Sequence, residues 1–493
     1  MNILLIYPEY RNTFFSFQHA LQFISRKAVQ PPLGLITVSA LLPSHWNKKL
    51  LDLNISPLQA KDLAWADYVF ISAMHVQKES VDKILAECSK YGVKTMAGGP
   101  LFTLEYEDYP QVDHFILNEA EITLTPLLDA METGGNIRRI SETKQFADMS
   151  QSPVPDFHLL NKNAYASMAI QLSRGCPFAC DFCEIPVLLG QKVRIKHADQ
   201  IIRELDALYA LKWRGSVSIV DDNFMGNKKE IKNNMLPAIH KWMREHSYPF
   251  IFNIQTSVDL ADDTELIAMM IDAGIYSTFI GIETPSEYTL NNCNKVQNRN
   301  RDLLQNVIDI QKAGMFVSGG FIVGFDSDTP EIFQQQADFI QQSGIIWAMV
   351  SLLNAPKNTR LYQRLESENR LTTEVTGNNT DFTMNFTPRM PEDELLQGYH
   401  SIIHSIYEVK PYYERIQRSL MKIGPVNRKV LRIDRYYLRA FFRSILIIGI
   451  LNKGRGEFWS LLFWTLFHRP NLFLYTVMYA ICGYHFRRVY QLS

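Results

Sequence analysis

Two series of short apolar runs, separated by segments with helical periodicity, constrain the fold of this 493-residue chain more than any other feature. The first series lies within residues 1–140 and the second within residues 168–353. Apolar runs of this length predict strands buried on both faces, and strands that alternate with helices form parallel sheets. The sequence therefore predicts an α/β fold with one parallel sheet in each of these two regions.

The first series predicts a doubly wound, Rossmann-like sheet. Ligands of such sheets bind beyond the carboxyl ends of the strands. Those ends are small, Gly-rich and weakly polar, which lets a large flat ligand approach the backbone. No GxGxxG follows the first run, which argues against a dinucleotide. A plain turn at 98–100 is the alternative reading. The runs are Asn2–Tyr7, Lys49–Leu53, Tyr68–Ala73, Lys94–Ala97 and His114–Leu117, and the candidate ligand contacts at their ends are Ser72, Gly98, Gly99, Pro100 and Glu119.

The second series predicts a partial or full βα barrel, in which the residues that end the strands form the active site. Polar residues are concentrated at those ends, and the candidates among them are Asp221, Asp222, Gln255, Glu283 and Gly324. The six runs are Met168–Leu172, Ser216–Val220, Phe250–Ile254, Thr278–Ile282, Phe316–Val323 and Ala348–Leu353.

These patterns divide the chain into four parts. Residues 1–140 form the first domain, and the polar segment 141–165, which contains Pro153 and Pro155, is a linker. Residues 166–390 form the barrel. Residues 391–493 form a helical region, with a helix expected over 394–420.

The C-terminal region is basic although the net charge of the chain is −1. Residues 400–493 hold 15 Lys and Arg against four Asp and Glu, a balance of +11, which predicts an anionic partner. No apolar run approaches the ~18 residues that a membrane-spanning helix needs. The mixture of basic and aromatic residues is typical of helices that lie in a membrane interface. The alternative interpretation, which the sequence favours equally, is an ordinary set of helices that caps the barrel. The aromatic residues concerned are Trp459, Phe463, Trp464, Phe467 and Tyr475.

Three of the six cysteines, Cys176, Cys180 and Cys183, fall within eight residues directly after a predicted strand. Three thiolates on one loop can hold three irons of a 4Fe-4S cluster and leave the fourth iron open. The alternative is a zinc site completed by a histidine, although the spacing is not that of a usual zinc knuckle.

A metal site made of clustered cysteines suits a reducing compartment. Residues 1–8 carry no basic n-region, so we expect no signal peptide and a cytoplasmic location.

The CxxxCxxC pattern, with the aromatic Phe182 before its last cysteine, resembles that of the radical S-adenosylmethionine (radical SAM) superfamily. The resemblance implies that the three cysteines bind a 4Fe-4S cluster whose open iron chelates S-adenosylmethionine (SAM), which is cleaved to a 5′-deoxyadenosyl radical. It also implies that Asp221 and Asp222 bind the amino group of SAM, that Glu283 accepts its ribose hydroxyls, and that the stretch 319–324 lies against adenine.

The first domain resembles the cobalamin-binding domain of cobalamin-dependent radical SAM enzymes, through the segments 52–54, 72–74, 98–100 and 118–121. The resemblance implies bound cobalamin. The DxHxxG signature, whose histidine ligates cobalt, is absent, and His75 and His114 do not stand in that pattern. We therefore expect no protein histidine on cobalt.

Further segments are similar to the subgroup that includes the hopanoid C-2 methylases and lipid-ring-forming enzymes. They are Glu184–Pro186, Gly190–Arg194, Trp213–Gly215 and Gly483–Arg487. The similarity implies methylation of an unactivated carbon of a lipid or other hydrophobic substrate. It also implies an electron donor such as flavodoxin or ferredoxin, and contact with the inner face of the membrane. A radical cyclase or oxidase and a non-catalytic cobalamin or redox sensor are the alternatives. No nucleic-acid partner is expected, because no basic aromatic patch stands at the barrel mouth.

Overall fold

The computed structural model describes residues 1–373, 376–378, 380–425 and 435–492, and it confirms the α/β fold class. The strands are β1 (Asn2–Tyr7), β2 (Asn47–Asp52), β3 (Tyr68–Ser72), β4 (Lys94–Gly98), β5 (His114–Ile116), β6 (Ile140–Ser141), β7 (Met168–Ile170), β8 (Ser173–Arg174), β9 (Arg194–Ile195), β10 (Gly215–Ile219), β11 (Phe250–Thr256), β12 (Ile275–Glu283), β13 (Phe316–Val323) and β14 (Ala348–Leu352).

Helices separate most of the strands and follow the last one. They are α1 (Gln18–Ile24), α2 (Leu33–Leu41), α3 (Ala60–Trp65), α4 (Lys78–Tyr91), α5 (Pro100–Glu105), α6 (Ala120–Thr123), α7 (Thr125–Thr133), α8 (Ile185–Leu188), α9 (Ala198–Ala210), α10 (Lys228–Glu230), α11 (Leu236–Glu245), α12 (Thr264–Asp272), α13 (Glu287–Asn292), α14 (Leu303–Lys312), α15 (Glu331–Ser343), α16 (Arg360–Ser367), α17 (Glu392–Tyr407), α18 (Val409–Lys422), α19 (Arg435–Ser444), α20 (Arg455–His468) and α21 (Phe473–Val489). Two π-helical segments, Ile231–Met235 and Ile445–Leu451, adjoin α11 and α19.

The N-terminal sheet is parallel, with the strand order β2-β1-β3-β4-β5-β6. All five predicted strands are present. The short β6 was not predicted, because two residues are too few to show a periodicity, and it extends the sheet by pairing with β5. The strand order reverses between β1 and β3, and ligands of doubly wound sheets bind at such a switch point. The carboxyl end of β3 therefore lies beside the expected ligand site.

The second sheet contains six parallel strands in the order β7-β10-β11-β12-β13-β14, so the barrel is a partial one. Strand β14 lies at an edge of the sheet, where backbone groups without a neighbouring strand need other hydrogen-bond partners. Helix α17 provides two of these partners. The hydroxyl of Tyr399 donates to Val350 O (3.0 Å), and that of Tyr407 donates to Ala348 O (2.7 Å). The helical C-terminal region thus covers the open edge of the barrel.

The single helix expected over 394–420 is instead two helices, α17 and α18, which meet at Glu408. Glu408 has φ −55° and ψ 148°, which is extended backbone. Proline three residues later explains the break: Pro411 has no N–H, and its ring would clash with the carbonyl of residue 407 in a continuous helix. Within the first turn of α18 the same proline is tolerated.

Helix α21 joins the C-terminal region to the N-terminal segment. The ring of Phe486 stacks on that of Phe14, with 4.3 Å between the centroids. Burial lowers the pKa of His485 to about 4, so its ring is neutral, and Nε2 donates to Phe14 O at 3.1 Å. The segment 483–487 therefore packs the last helix against the start of the chain. Within the described ranges, no helix has the length and apolarity needed to cross a bilayer.

Gly483 is expected to be essential to this packing, because a Cβ there would overlap the buried ring of Tyr412. We expect Gly483→Ala to lower the free energy of unfolding by about 1–3 kcal/mol, as overpacking does. Gly456→Ala is the matched control, because a Cβ on that helical glycine meets nothing within 4 Å. Thermal unfolding of both variants measures the difference, and equal midpoints would contradict this packing.

Candidate active site at the barrel mouth

The predicted cluster loop follows β8 and presents three free thiols. Cys180 is buried, and Cys176 and Cys183 are half-buried. Burial raises the pKa of all three thiols, that of Cys183 to about 12. Such thiols release their protons when a metal binds. Three thiols on one loop, none of them in a disulfide, suit a 4Fe-4S cluster.

Residues 293–298, which follow α13, contact this loop. The sequence gives no sign of this contact, because more than 100 residues separate the segment from the cysteines. Three contacts join the two segments: Asn294 Nδ2 donates to Ala179 O (2.9 Å), Asp181 N donates to Cys293 O (3.1 Å), and Gln297 Nε2 contacts Cys180 Sγ (3.7 Å).

The thiol of Cys293 does not join the three on the loop. Its Sγ contacts Leu290 O at 3.8 Å, and the residue packs in an apolar cluster with Phe325 and Leu353. Burial raises the pKa of this thiol to about 12. Cys293 therefore contributes packing and a backbone contact beside the loop.

Glu283 forms a buried ion pair that the sequence did not indicate. Lys295 Nζ donates to Glu283 Oε1 at 2.6 Å, and each side chain is only 10% exposed. Burial alone would lower the pKa of Lys295, but the charge of the Glu283 carboxylate and its hydrogen bond hold the pKa above its usual value. Gly281 leaves the space for this pair, because a Cβ there would lie 2.8 Å from Lys295 Nζ and overlap the carboxylate. The pair places a cation beside the cluster loop.

The two adjacent aspartates at the end of β10 have different surroundings. Asp221 is fully buried and accepts hydrogen bonds from Leu172 N (2.7 Å) and Ser173 Oγ (2.6 Å), and burial raises its pKa to about 7. Asp222 is half-buried and accepts a long hydrogen bond from Gly175 N (3.4 Å), and burial raises its pKa to about 6. Asp221 thus fixes the start of the cluster loop, whereas Asp222 is the more available acceptor.

Gln255 and Gly324 also lie at strand ends. The side chain of Gln255 is exposed near the end of β11. Gly324 turns the chain after β13 with φ +101°, and its N–H donates to Asp328 Oδ2 at 2.9 Å. A Cβ on Gly324 would lie 3.2 Å from the side chain of Leu395 on α17. The turn therefore requires glycine for both its φ and its close contact.

A buried ion cluster joins the cluster loop to the N-terminal domain. Arg174 binds both carboxylate oxygens of Glu121 (2.9 and 2.8 Å) and approaches Glu119 at 3.4 Å. Arg194 Nη1 donates to Glu119 Oε2 at 2.7 Å. All four side chains are 13% exposed or less. Arg174 is thus paired with carboxylates, and Glu119, a predicted cofactor contact, is engaged by two arginines.

The remaining candidates in the N-terminal domain form a tight backbone cradle beyond β3 and β4. Gly99 has φ +89°, and a Cβ there would lie 2.8 Å from Ser72 Oγ. A Cβ on Gly98 would lie 2.7 Å from Ile116 O. Pro100 begins helix α5 directly afterwards. These two glycines let neighbouring strand ends approach closely, which suits a flat ligand lying on the backbone.

His75 lies near the same strand end, between carboxylates of both domains. Its Nδ1 is 3.3 Å from Glu105, and its Nε2 is 3.7 Å from Glu184, the residue after Cys183. Burial by itself lowers the pKa of His75, but the nearby carboxylates of Glu105 and Glu184 raise it to about 9. A protonated imidazole has no lone pair free for a metal.

Two family models match the chain. Residues 170–340, which include the cluster loop and β10 to β13, match the radical SAM superfamily. Residues 359–493 match a domain of unknown function, DUF4070.

Two curated relatives are similar over most of the chain. An uncharacterized methyltransferase of Synechocystis sp. is 38% identical over 99% of this chain and 91% of its own length. The hopanoid C-2 methylase of Rhodopseudomonas palustris is 32% identical over 84% of this chain and 78% of its own length. Both similarities extend beyond the barrel into the other domains.

The fold is also similar to a solved structure, that of the radical SAM methyltransferase TsrM from Kitasatospora setae with cobalamin and a 4Fe-4S cluster bound. The two share a TM-score of 0.61 and 14% identity over 93% of this chain and 98% of that one. Two of the cofactors predicted from the sequence, a 4Fe-4S cluster and cobalamin, are bound in that structure, and the radical SAM match supports the cluster and SAM. The chain therefore belongs to the radical SAM superfamily, in the family of methyltransferases that includes hopanoid C-2 methylase.

Proposed function

We propose that this enzyme methylates an unactivated carbon of a lipid or another apolar small molecule, using SAM and cobalamin. The observation that supports this most is the 32% identity to a hopanoid C-2 methylase over 84% of the chain. The family supplies the reaction class, and the lipid-acting relative supplies the substrate class. The reaction needs a one-electron donor of the flavodoxin or ferredoxin class. The proposed location is the cytoplasm, at the inner face of the membrane.

The bound cofactors would supply single-electron reduction of SAM and a transferable methyl group. The residues of the chain hold and orient them. Cys176, Cys180 and Cys183 would hold three irons. The carboxylate of Asp222 would accept hydrogen bonds from the ammonium group of SAM, as charge-assisted pairs do.

Other residues would complete the two cofactor sites. Glu283, oriented by Lys295, would accept ribose hydroxyls at the end of β12. The exposed Gln255 would offer polar contacts at the same mouth, and the turn at Gly324 would let adenine approach the backbone. The cradle of Ser72, Gly98, Gly99 and Pro100 would support the corrin. Glu119 would act through Arg174 and Arg194 by fixing the distance between the two sites.

Transfer of a labelled methyl group tests the proposal directly. Anaerobically reconstituted full-length protein is given cobalamin, a reductant, SAM with a CD₃ group, and a pentacyclic triterpenoid lipid. We expect mass spectrometry to find the CD₃ group on a carbon of the lipid. Formation of 5′-deoxyadenosine with an altered but unlabelled lipid would contradict methylation and favour the radical cyclase or oxidase.

The cluster assignment predicts different behaviour of two nearby cysteines. We expect Cys180→Ala to lose bound iron together with SAM cleavage, because its thiolate would hold one iron. Cys293→Ala is the matched control: it is buried beside the loop but engages Leu290 O, so the variant is expected to retain about four irons per chain. Iron analysis and 5′-deoxyadenosine assays measure both. Iron loss in Cys293→Ala would contradict the three-cysteine assignment.

The surroundings of His75 predict cobalamin bound without a protein nitrogen on cobalt. Because its imidazole is held protonated between Glu105 and Glu184, it has no lone pair to donate. Electron paramagnetic resonance of the Co(II) form is therefore expected to show no hyperfine coupling from a protein nitrogen. His75→Gln is expected to give the same spectrum, and nitrogen coupling that disappears in this variant would refute the prediction.

A further inference from the structure

Exposed apolar side chains are concentrated in one part of the C-terminal region. Of the 18 large apolar side chains that are exposed among the described residues, nine lie within residues 437–467. Single exposed apolar residues need no explanation, but a cluster of this size marks an interaction site. Eight of them, here called the apolar face, are Leu438, Phe442, Leu446, Ile450, Leu451, Phe463, Leu466 and Phe467.

The helix geometry brings seven of these residues into two stripes, and Leu451 lies at the end of the first. Leu438, Phe442, Leu446 and Ile450 are spaced by four residues, and on an α-helix each such step drifts by about 40° around the axis. The π-helical segment Ile445–Leu451 has more residues per turn, so it counters this drift. On α20 the exposed residues stand at 463, 466 and 467, the spacing of one helix face.

The two stripes belong to helices that pack together. Trp459 Nε1 donates to Gly449 O at 2.9 Å. A Cβ on Gly449 would lie 3.0 Å from the ring of Phe458, so glycine permits this close approach. The apolar face is therefore carried by a fixed helix pair.

The tryptophans of this region do not form the face, contrary to what the sequence suggested. Trp459 and Trp464 are half-buried, as is Tyr475, whose ring packs 4.5 Å from that of Phe316 on the barrel. Only Phe463 and Phe467 of the five aromatic residues singled out from the sequence are exposed. The side chains offered to a partner are thus Leu, Ile and Phe.

Cations flank the apolar face. Arg439, Lys453 and Arg455 are exposed, between its residues or at the turn that joins its two stripes. Glu457, which is half-buried, is the one acidic residue in 435–492, against eight Arg and Lys. A second copy of this chain docked through the same face would bring like charges together, which is costly. An anionic bilayer would satisfy both the apolar side chains and the cations.

We propose that this helix pair is a membrane-docking surface that inserts the apolar face into the interface of an anionic phospholipid bilayer. The inference deepens the proposed function and rests on it for the reason to dock: an apolar substrate dissolved in a bilayer has to be collected there. It gives a role to part of the 359–493 region that matches a domain of unknown function.

The packing of α21 connects this surface to the barrel. Helix α21 packs against α20, and its Tyr479 contacts the rings of both Phe316 and Trp347, at 5.8 and 6.2 Å between centroids. Only one helix layer therefore separates the docked surface from the wall of the barrel. Docking would hold the catalytic domain at the bilayer surface without a membrane-spanning segment.

Co-sedimentation of the full-length protein with vesicles tests the proposal. We expect binding to vesicles of phosphatidylcholine with 30% phosphatidylglycerol, and weaker binding at high salt because surface charges are screened. Phe442→Ser/Leu451→Ser/Phe467→Ser is expected to bind at least tenfold more weakly. The matched control, Tyr91→Ser/Tyr288→Ser/Val296→Ser, replaces three exposed apolar residues outside the C-terminal region and is expected to bind like the parent chain.

A charge variant tests whether the three exposed cations contribute to membrane binding. Arg439→Gln/Lys453→Gln/Arg455→Gln is expected to weaken binding to the anionic vesicles by about fivefold for each cation removed, and to change binding to neutral vesicles little. Equal binding of the Ser variant and its control, or no pelleting of the parent chain, would overturn the proposal. So would a dimer in lipid-free solution that the Ser variant abolishes.

Methyl transfer separates this proposal from the proposed function. The Ser variant is expected to methylate detergent-solubilised lipid like the parent chain and to lose activity on lipid presented in vesicles. If the parent chain binds vesicles but methylates no lipid in either form, the proposed function fails and docking stands. If it methylates solubilised lipid but ignores vesicles, docking alone fails.

Discussion

The buried ion cluster between the two parallel sheets sets the geometry of the whole site. Arg174 and Arg194 face each other across the short ladder of β8 and β9, immediately before the cluster loop and shortly after it. Their partners, Glu119 and Glu121, stand where β5 gives way to α6. Buried charges are tolerated only when paired, and bidentate pairing of Arg174 with Glu121 fixes orientation as well as distance. The end of β5 in the N-terminal sheet is therefore held against the cluster loop of the barrel.

Much of the fold could be predicted from the sequence, because its strands are short, apolar and separated by clear helical segments. The five N-terminal strands and the six barrel strands all appear, with ends displaced by three residues at most. The errors have local causes. Strand β6 is too short to show a period, and Pro411 divides a helix whose apolar pattern continues through the break.

The site was harder to predict, because its polar residues take their roles from partners that are distant in the chain. The three cysteines were evident from spacing alone. Nothing in the sequence around Lys295 indicates a role in the site. Its role is seen only in the structure, where it pairs with Glu283 at the end of β12. Likewise, nothing in an Asp-Asp pair indicates that Asp221 binds the backbone of the preceding strand end while Asp222 stays available. Exposure on the C-terminal helices depends on which face packs inward, and composition does not reveal that.

The stack of Phe486 on Phe14 has a consequence for how the molecule is made. A ribosome builds the chain from its amino end. Phe14 lies 471 residues before His485, so the segment around Phe14 is synthesised long before the helix that packs on it. During that interval its apolar rings stay without their final neighbours, and contacts between such distant segments are slow to form. The nascent protein therefore exposes apolar surface around Phe14 until helix α21 has been synthesised, and this surface is prone to aggregation during that interval.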